Sequence, residues 1–137
     1  MGGPLVMGLA PAWAMPMAIK RAGLTPEQID VWEVHEAFSA QALGVLRELP
    51  NQLDGFVVPD DKLTRNGGAV AIGHPFGVTG VRYILTLATE LRERNVRYGV
   101  IGLHRIGSGR RCGAGKPARR LVGRPRQVRP VTDAGFG

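Results

Sequence analysis

Two histidines occupy the segments of this sequence best suited to chemistry. His35 opens the run His35-Glu36-Ala37-Phe38-Ser39, and His74 ends the glycine-rich run Asn66-Gly67-Gly68-Ala69-Val70-Ala71-Ile72-Gly73-His74, ahead of Pro75. An imidazole gains and loses a proton near neutral pH, so either ring can act as general acid, general base or hydrogen-bond donor to a developing negative charge. Gly67, Gly68 and Gly73 allow the backbone to approach a ligand closely, and Pro75 biases His74 toward an extended conformation. Taken singly, each histidine reads more readily as a structural residue with both ring nitrogens satisfied. The remaining candidates are His104 and the sole cysteine, Cys112. Arg110 and Arg111 beside Cys112 favour its thiolate, although an incidental exposed cysteine is the simpler reading. The spacing of these four residues matches no zinc pattern, and no metal site is expected.

The elements that must position the histidines alternate as in an α/β domain. Residues 12–22 carry Trp13, Met17 and Ala18 at helical spacing, Lys20 and Arg21 in the last turn, and Gly23 as the stop. Thr25, Pro26 and Gln28 form a capping-box pattern for one further turn. Residues 31–34 read as a short buried strand, which delivers His35 to the carboxyl edge of a sheet, where α/β proteins bind ligands. A helical stripe follows from Glu36 through Phe38, Ala42, Val45, Leu46 and Leu49, with Pro50 as terminator. Residues 50–65 read as a surface connection. After the glycine-rich segment, Val81, Ile84, Leu85, Ala88 and Leu91 form a second stripe running to Arg94, and residues 98–103 read as a second buried strand.

The 137-residue length suits one domain with a single core. One cysteine rules out an intrachain disulfide framework and fits a reducing, cytoplasmic setting. The first 19 residues are uncharged, but Pro4, Pro11 and Pro16 interrupt them and no basic segment precedes them, so neither a membrane span nor a secretory signal is expected. The charge is unevenly distributed. Residues 1–103 carry nine basic and ten acidic side chains, net −1, whereas residues 104–137 carry nine basic side chains against Asp133 alone, net +8. We therefore divide the chain into a domain at 1–103 and an Arg/Gly/Pro-rich tail at 104–137. The tail has few large apolar groups and no period, and is expected to be disordered. A basic run without interleaved aromatics binds phosphate without reading sequence, so a nucleic-acid-binding module is not favoured.

Together with Gly77-Val78-Thr79-Gly80, the two motifs resemble the carboxyl-terminal half of the thiolases. The resemblance begins near Met7-Gly8 and runs through HEAFSAQAL and NGGAVAIGHPFGVTG to about Leu103. It implies an α/β thiolase-like domain of layered helices and a mixed sheet. The implied activity is acyl transfer, 3-ketoacyl-CoA plus CoA exchanging with acyl-CoA plus acetyl-CoA. Coenzyme A thioesters would be the substrates, with no further cofactor. The HEAF form is similar to the branch that includes fatty-acid β-oxidation thiolases. By the resemblance, His74 activates a nucleophilic cysteine and helps bind the thioester oxyanion, His35 helps build an oxyanion hole, and Asn66, Gly67, Gly68 and Gly73 support the hole or its loop.

The sequence also departs from the family. The nucleophilic cysteine belongs to the family's amino-terminal half, which the resemblance does not cover and which is expected to come from elsewhere than these 137 residues. After Leu103, where the family has a Cys-x-Gly-Gly-Gly type motif with a second catalytic cysteine, the chain reads His104-Arg105-Ile106-Gly107-Ser108-Gly109. A reading-frame disruption would account for this change and for the arginine-rich tail, and genuine divergence is the alternative. The expectations are that the domain lacks its last strand and leaves an open edge beside residues 98–103. The chain alone should lack turnover, acting only with an amino-terminal thiolase half or persisting as a non-enzymatic remnant. Its uncovered apolar stripes should make it a homo-oligomer.

Overall fold

The structure, a computed structural model, describes residues 8–103 and the backbone of residues 117–119. Its elements are α1 (Ala10–Arg21), β1 (Val31–Val34), α2 (Ser39–Gln52), α3 (Ala69–Ile72), α4 (Thr79–Glu93), β2 (Tyr98–Gly102) and β3 (Pro117–Arg119), with short 3-10 turns at Pro26–Gln28 and Asp60–Lys62. The sheet order is β1-β2-β3. Val31 pairs with Gly99 and Val34 with Gly102 in parallel, while Tyr98 pairs with Arg119 and Val100 with Pro117 antiparallel. The sheet is therefore mixed, and α2, α3 and α4 all lie within the crossover that two parallel neighbours require.

Strand alternation assigns the two faces. Trp32, Val34 and Val100 join Met15, Ile19, Val45 and Leu49 in one core, on the side of α1 and α2. Val31 and Ile101 join Tyr83, Leu87 and Leu91 of α4 in a second core on the other side. Two glycines let the helices lie this close. A Cβ on Gly99 would fall 2.5 Å from Leu87 Cδ1, and one on Gly102 would fall 2.5 Å from Met15 Sδ and 3.0 Å from Pro11 Cβ. By the same alternation Glu33 and His35 point to the α4 side, and the His35 N–H extends the ladder by one bond to the Gly102 carbonyl.

Several boundaries differ from the sequence expectation for identifiable reasons. Helix α2 starts at Ser39, because Phe38 is extended at φ −148°, ψ 149°, so Glu36 and Ala37 belong to the turn. Pro50 lies within its last turn, and the helix stops where Asp54 and Gly55 adopt positive φ and the Gly55 N–H bonds the Pro50 carbonyl. In α4 the buried side chains are Thr79, Tyr83, Leu87, Glu90 and Leu91, while Val81, Ile84, Leu85 and Ala88 face outward. Residues 117–119, within the stretch expected to be disordered, form β3 and occupy the β2 edge along Tyr98–Val100 that was expected to be open. A three-residue strand is too short to leave a period in the sequence. The rest of the tail, including His104 and Cys112, lies outside the described residues. No described helix is long and apolar enough to cross a membrane.

Candidate functional site

His35 and His74, 39 positions apart in sequence, meet in space. Their ring centroids are 4.6 Å apart with the planes tilted by 54°. His35 forms the floor at 3% exposure, held by its strand position and by Tyr83, whose ring stands edge-on to it and whose Oη lies 3.4 Å from His35 Nδ1. Burial pushes the Tyr83 phenol above its ordinary range, with Arg82 acting in the opposite direction, so the hydroxyl keeps its proton at neutral pH. His74 sits above it on the exposed loop between α3 and α4, with Phe76 edge-on at 5.1 Å.

A hydrogen-bond chain sets the tautomer of His74. Its Nδ1 lies 2.7 Å from Thr79 Oγ1, and that hydroxyl donates to the Pro75 carbonyl at 2.9 Å. A hydroxyl has one proton, and here the carbonyl takes it. Nδ1–H must then donate to Oγ1, which leaves the lone pair of a neutral His74 on Nε2. The ring is arranged to accept a proton at Nε2 while its other nitrogen stays fixed.

The glycine-rich loop is tied down at three points. At its start, Asn66 Nδ2 donates to Glu90 Oε2 at 2.8 Å, and Glu90 in turn lies 3.7 Å from Arg65 and 3.6 Å from Arg94. In its middle, the Val70 N–H donates to Glu36 Oε2 at 3.2 Å. A Cβ on Gly68 would collide with that same carboxylate, so only glycine lets Glu36 reach the loop. At its end, Arg82 Nη1 donates to the Gly73 carbonyl. Gly67 and Gly73 adopt φ +81° and +87°, which L side chains rarely tolerate.

Asn66, Gly67, Gly68 and Gly73 thus all lie in the loop that carries His74 over His35. Sequence reasoning missed Thr79, Tyr83, Glu36 and Arg82 as partners of the pair. Only Thr79 had a local signal, the five-residue spacing from His74 that wraps the start of α4 back onto the loop. Among the described residues, no group of three or more His, Cys, Asp or Glu side chains is placed to hold a metal ion.

Comparison with known proteins bears on this arrangement. A family model for the thiolase C-terminal domain matches residues 2–114. Among curated proteins, the chain is 44% identical over 107 residues to the peroxisomal 3-ketoacyl-CoA thiolase B of Rattus norvegicus, covering 77% of this chain and 23% of that protein. Among solved structures, the acetyl-CoA acetyltransferase from Syntrophomonas wolfei superposes with a TM-score of 0.66 at 38% identity, covering 82% of this chain and 26% of that one. The human mitochondrial 3-ketoacyl-CoA thiolase in complex with CoA superposes with a TM-score of 0.62 at 39% identity, covering 72% and 23%. The chain spans about a quarter of the length of the relatives it matches.

Proposed function

The chain belongs to the thiolase family, as its C-terminal domain, and from that premise we propose that His74 and His35 are the acyl-transfer histidines of an enzyme acting on coenzyme A thioesters. The observation that carries the reading is the apposed pair itself, one imidazole with its lone pair fixed on Nε2 beside another buried at a strand end. In this reading His74 Nε2 takes the proton of a cysteine thiol, and the thiolate attacks the 3-keto carbonyl of a 3-ketoacyl-CoA. His74 and His35 donate hydrogen bonds to the oxyanion and to the thioester enolate as each forms. Collapse of the oxyanion breaks the C2–C3 bond, leaving the acyl group on the cysteine and expelling the acetyl-CoA enolate, which takes up the proton removed from the cysteine and departs as acetyl-CoA. The thiol of a second CoA then takes the acyl group, its proton returns to the cysteine, and acyl-CoA is released. Acyl exchange between thioesters moves no net electrons and calls for no redox cofactor.

Residues 8–103 contain no cysteine. The reading therefore assigns the nucleophile to an amino-terminal thiolase half, and this chain alone lacks turnover. The sequence after β2 favours a second reading, a remnant that keeps the fold without activity, because His104 follows Leu103 where the family carries its second catalytic cysteine. Fatty-acid β-oxidation is the setting we favour, in a reducing cytoplasm that suits a single thiol.

Acetoacetyl-CoA thiolysis by the purified chain, alone and co-expressed with a thiolase amino-terminal half, separates these readings. The expected result is turnover only in the combination, lost on His74→Ala. Turnover by the chain alone that His74→Ala abolishes would remove the need for a second chain. A well-folded but inactive combination would favour the remnant.

A further inference from the structure

The loop carrying His74 is built to pivot. Gly67 and Gly73 bracket α3 with positive φ, and the four-residue α3 contributes only Ala69 to the buried set. Two charged side chains counter this freedom, one near each end. Glu36 immediately follows His35, so the dipeptide that places one imidazole under the loop also sends a carboxylate onto it, to the Val70 N–H through the gap left by Gly68. Arg82 immediately precedes Tyr83 on α4. Its guanidinium carbon lies 4.8 Å from the Tyr83 ring centroid, and Nη1 reaches the Gly73 carbonyl next to His74. Each charged residue therefore touches the His74 loop while its chain neighbour is His35 or contacts His35.

We infer that Glu36 and Arg82 are positioning residues, a two-point clamp that fixes the His74 imidazole over His35. The assignment of a catalytic purpose to that geometry rests on the functional reading above, but the clamp is a physical claim about the loop. The Val70 N–H lies in the first turn of α3, where no carbonyl within the helix can accept it, so the carboxylate supplies the acceptor. Hydrogen bonds to charged partners are the stronger class, and two of them at separate points restrain rotation about Gly67 and Gly73 in a way that one cannot.

The test is amide hydrogen exchange and proton NMR on the full chain without substrate. In the unmodified protein the Val70 amide is protected, and a cross-ring nuclear Overhauser contact joins His35 and His74. In Glu36→Ala, Val70 exchange accelerates by about tenfold or more, the effect of losing one charge-assisted hydrogen bond, and the cross-ring contact is lost. Glu36→Gln, which keeps an acceptor oxygen, retains both signals. Arg82→Ala loses the cross-ring contact, and Arg82→Lys, which keeps a cationic donor, restores it. Protection of the Asp30 N–H, which donates to the Tyr98 carbonyl, reports throughout that the sheet is intact. Gly68→Ala displaces the Glu36 carboxylate without removing it and reproduces Glu36→Ala, so unfolding of one variant leaves the question decidable. Unchanged Val70 protection and ring contact in the alanine variants overturns the clamp, as does failure of the glutamine and lysine variants to differ from alanine. None of these readouts requires turnover, so clamped rings in a chain that stays inactive even when combined with a thiolase amino-terminal half would count against the functional reading alone.

Discussion

Glu33 sits on the α4 side of β1 at 1% exposure, and neither carboxylate oxygen has a hydrogen-bond donor among the described residues. Loss of hydration, then repulsion from Glu90 and Glu36, pushes its acidity to about 7, with Arg82 pulling the other way. A raised carboxyl means that, between the ordinary carboxylate value and about 7, the folded chain holds a proton the unfolded chain has released. Stability therefore falls as pH rises through that window and levels off above it, by about 3 kcal/mol at most. We expect urea midpoints to drop between about pH 5 and about pH 8. Glu33→Gln should flatten that drop and raise the midpoint at the higher pH. An unchanged slope in the glutamine variant would move the titration to another group. The residue scale is also where the sequence was least informative. The two histidines were legible because glycine and proline spacing is a local signal. Tyr83, Arg82 and Glu36 became their partners through tertiary contacts that no spacing records.

At the scale of elements, what could be read depended on whether an element's neighbours matched its own pattern. Strand β1 was legible residue for residue, since a buried β-favouring run between polar turns has few alternatives. The stop of α1 was legible for a similar reason, with Gly23 at φ +68°. The orientation of α4 was legible in part. The stripe expected to be uncovered does face outward at Val81, Ile84, Leu85 and Ala88, but Leu91, counted in that stripe, meets the sheet beside Tyr83 and Leu87, which periodicity did not single out. The close approach of α1 to β2 is likewise carried by a residue with no side chain. Gly102→Ala would put a methyl against Met15 Sδ and Cγ and Pro11 Cβ, on a helix already seated by Ala12, Ala18 and Ile19. Pro11 has little freedom to move, so Met15 must leave its place or α1 must lift. The expected cost is about 1–3 kcal/mol, read as a lower urea midpoint with an unchanged slope. Met15→Ala in the same background should recover part of it by vacating the volume. No recovery would place the strain on Pro11.

At the scale of the whole molecule, the question is what covers the outer face of α4. Val81, Ile84 and Leu85 are 55%, 57% and 63% exposed, and Val78 and Phe76 extend the apolar surface toward the His74 loop at 55% and 90%. Among the described residues nothing packs on this face. A contiguous apolar patch above about 400 Å² is uncommon on a soluble monomer and marks an interface or an aggregation liability. The second route to self-association expected from the sequence, the β2 edge, is narrowed by β3 pairing along Tyr98–Val100. The outer edge of β1 is also partly occupied, since Thr64 donates to the Trp32 carbonyl and accepts from the Val34 N–H. Backbone edges therefore contribute less, and the α4 face becomes the dominant cause. The net charge of +7 opposes association, but at physiological ionic strength charges are screened over about 8 Å, which does not keep apolar faces apart. We therefore expect light scattering at micromolar concentration to give a mass above that of one chain. Val81→Glu combined with Leu85→Glu should shift it toward the monomer without lowering the melting temperature, because both side chains already face water. A monodisperse monomer in the unmodified protein, or an oligomer indifferent to the double substitution, would mean that this face is not what holds copies of the chain together.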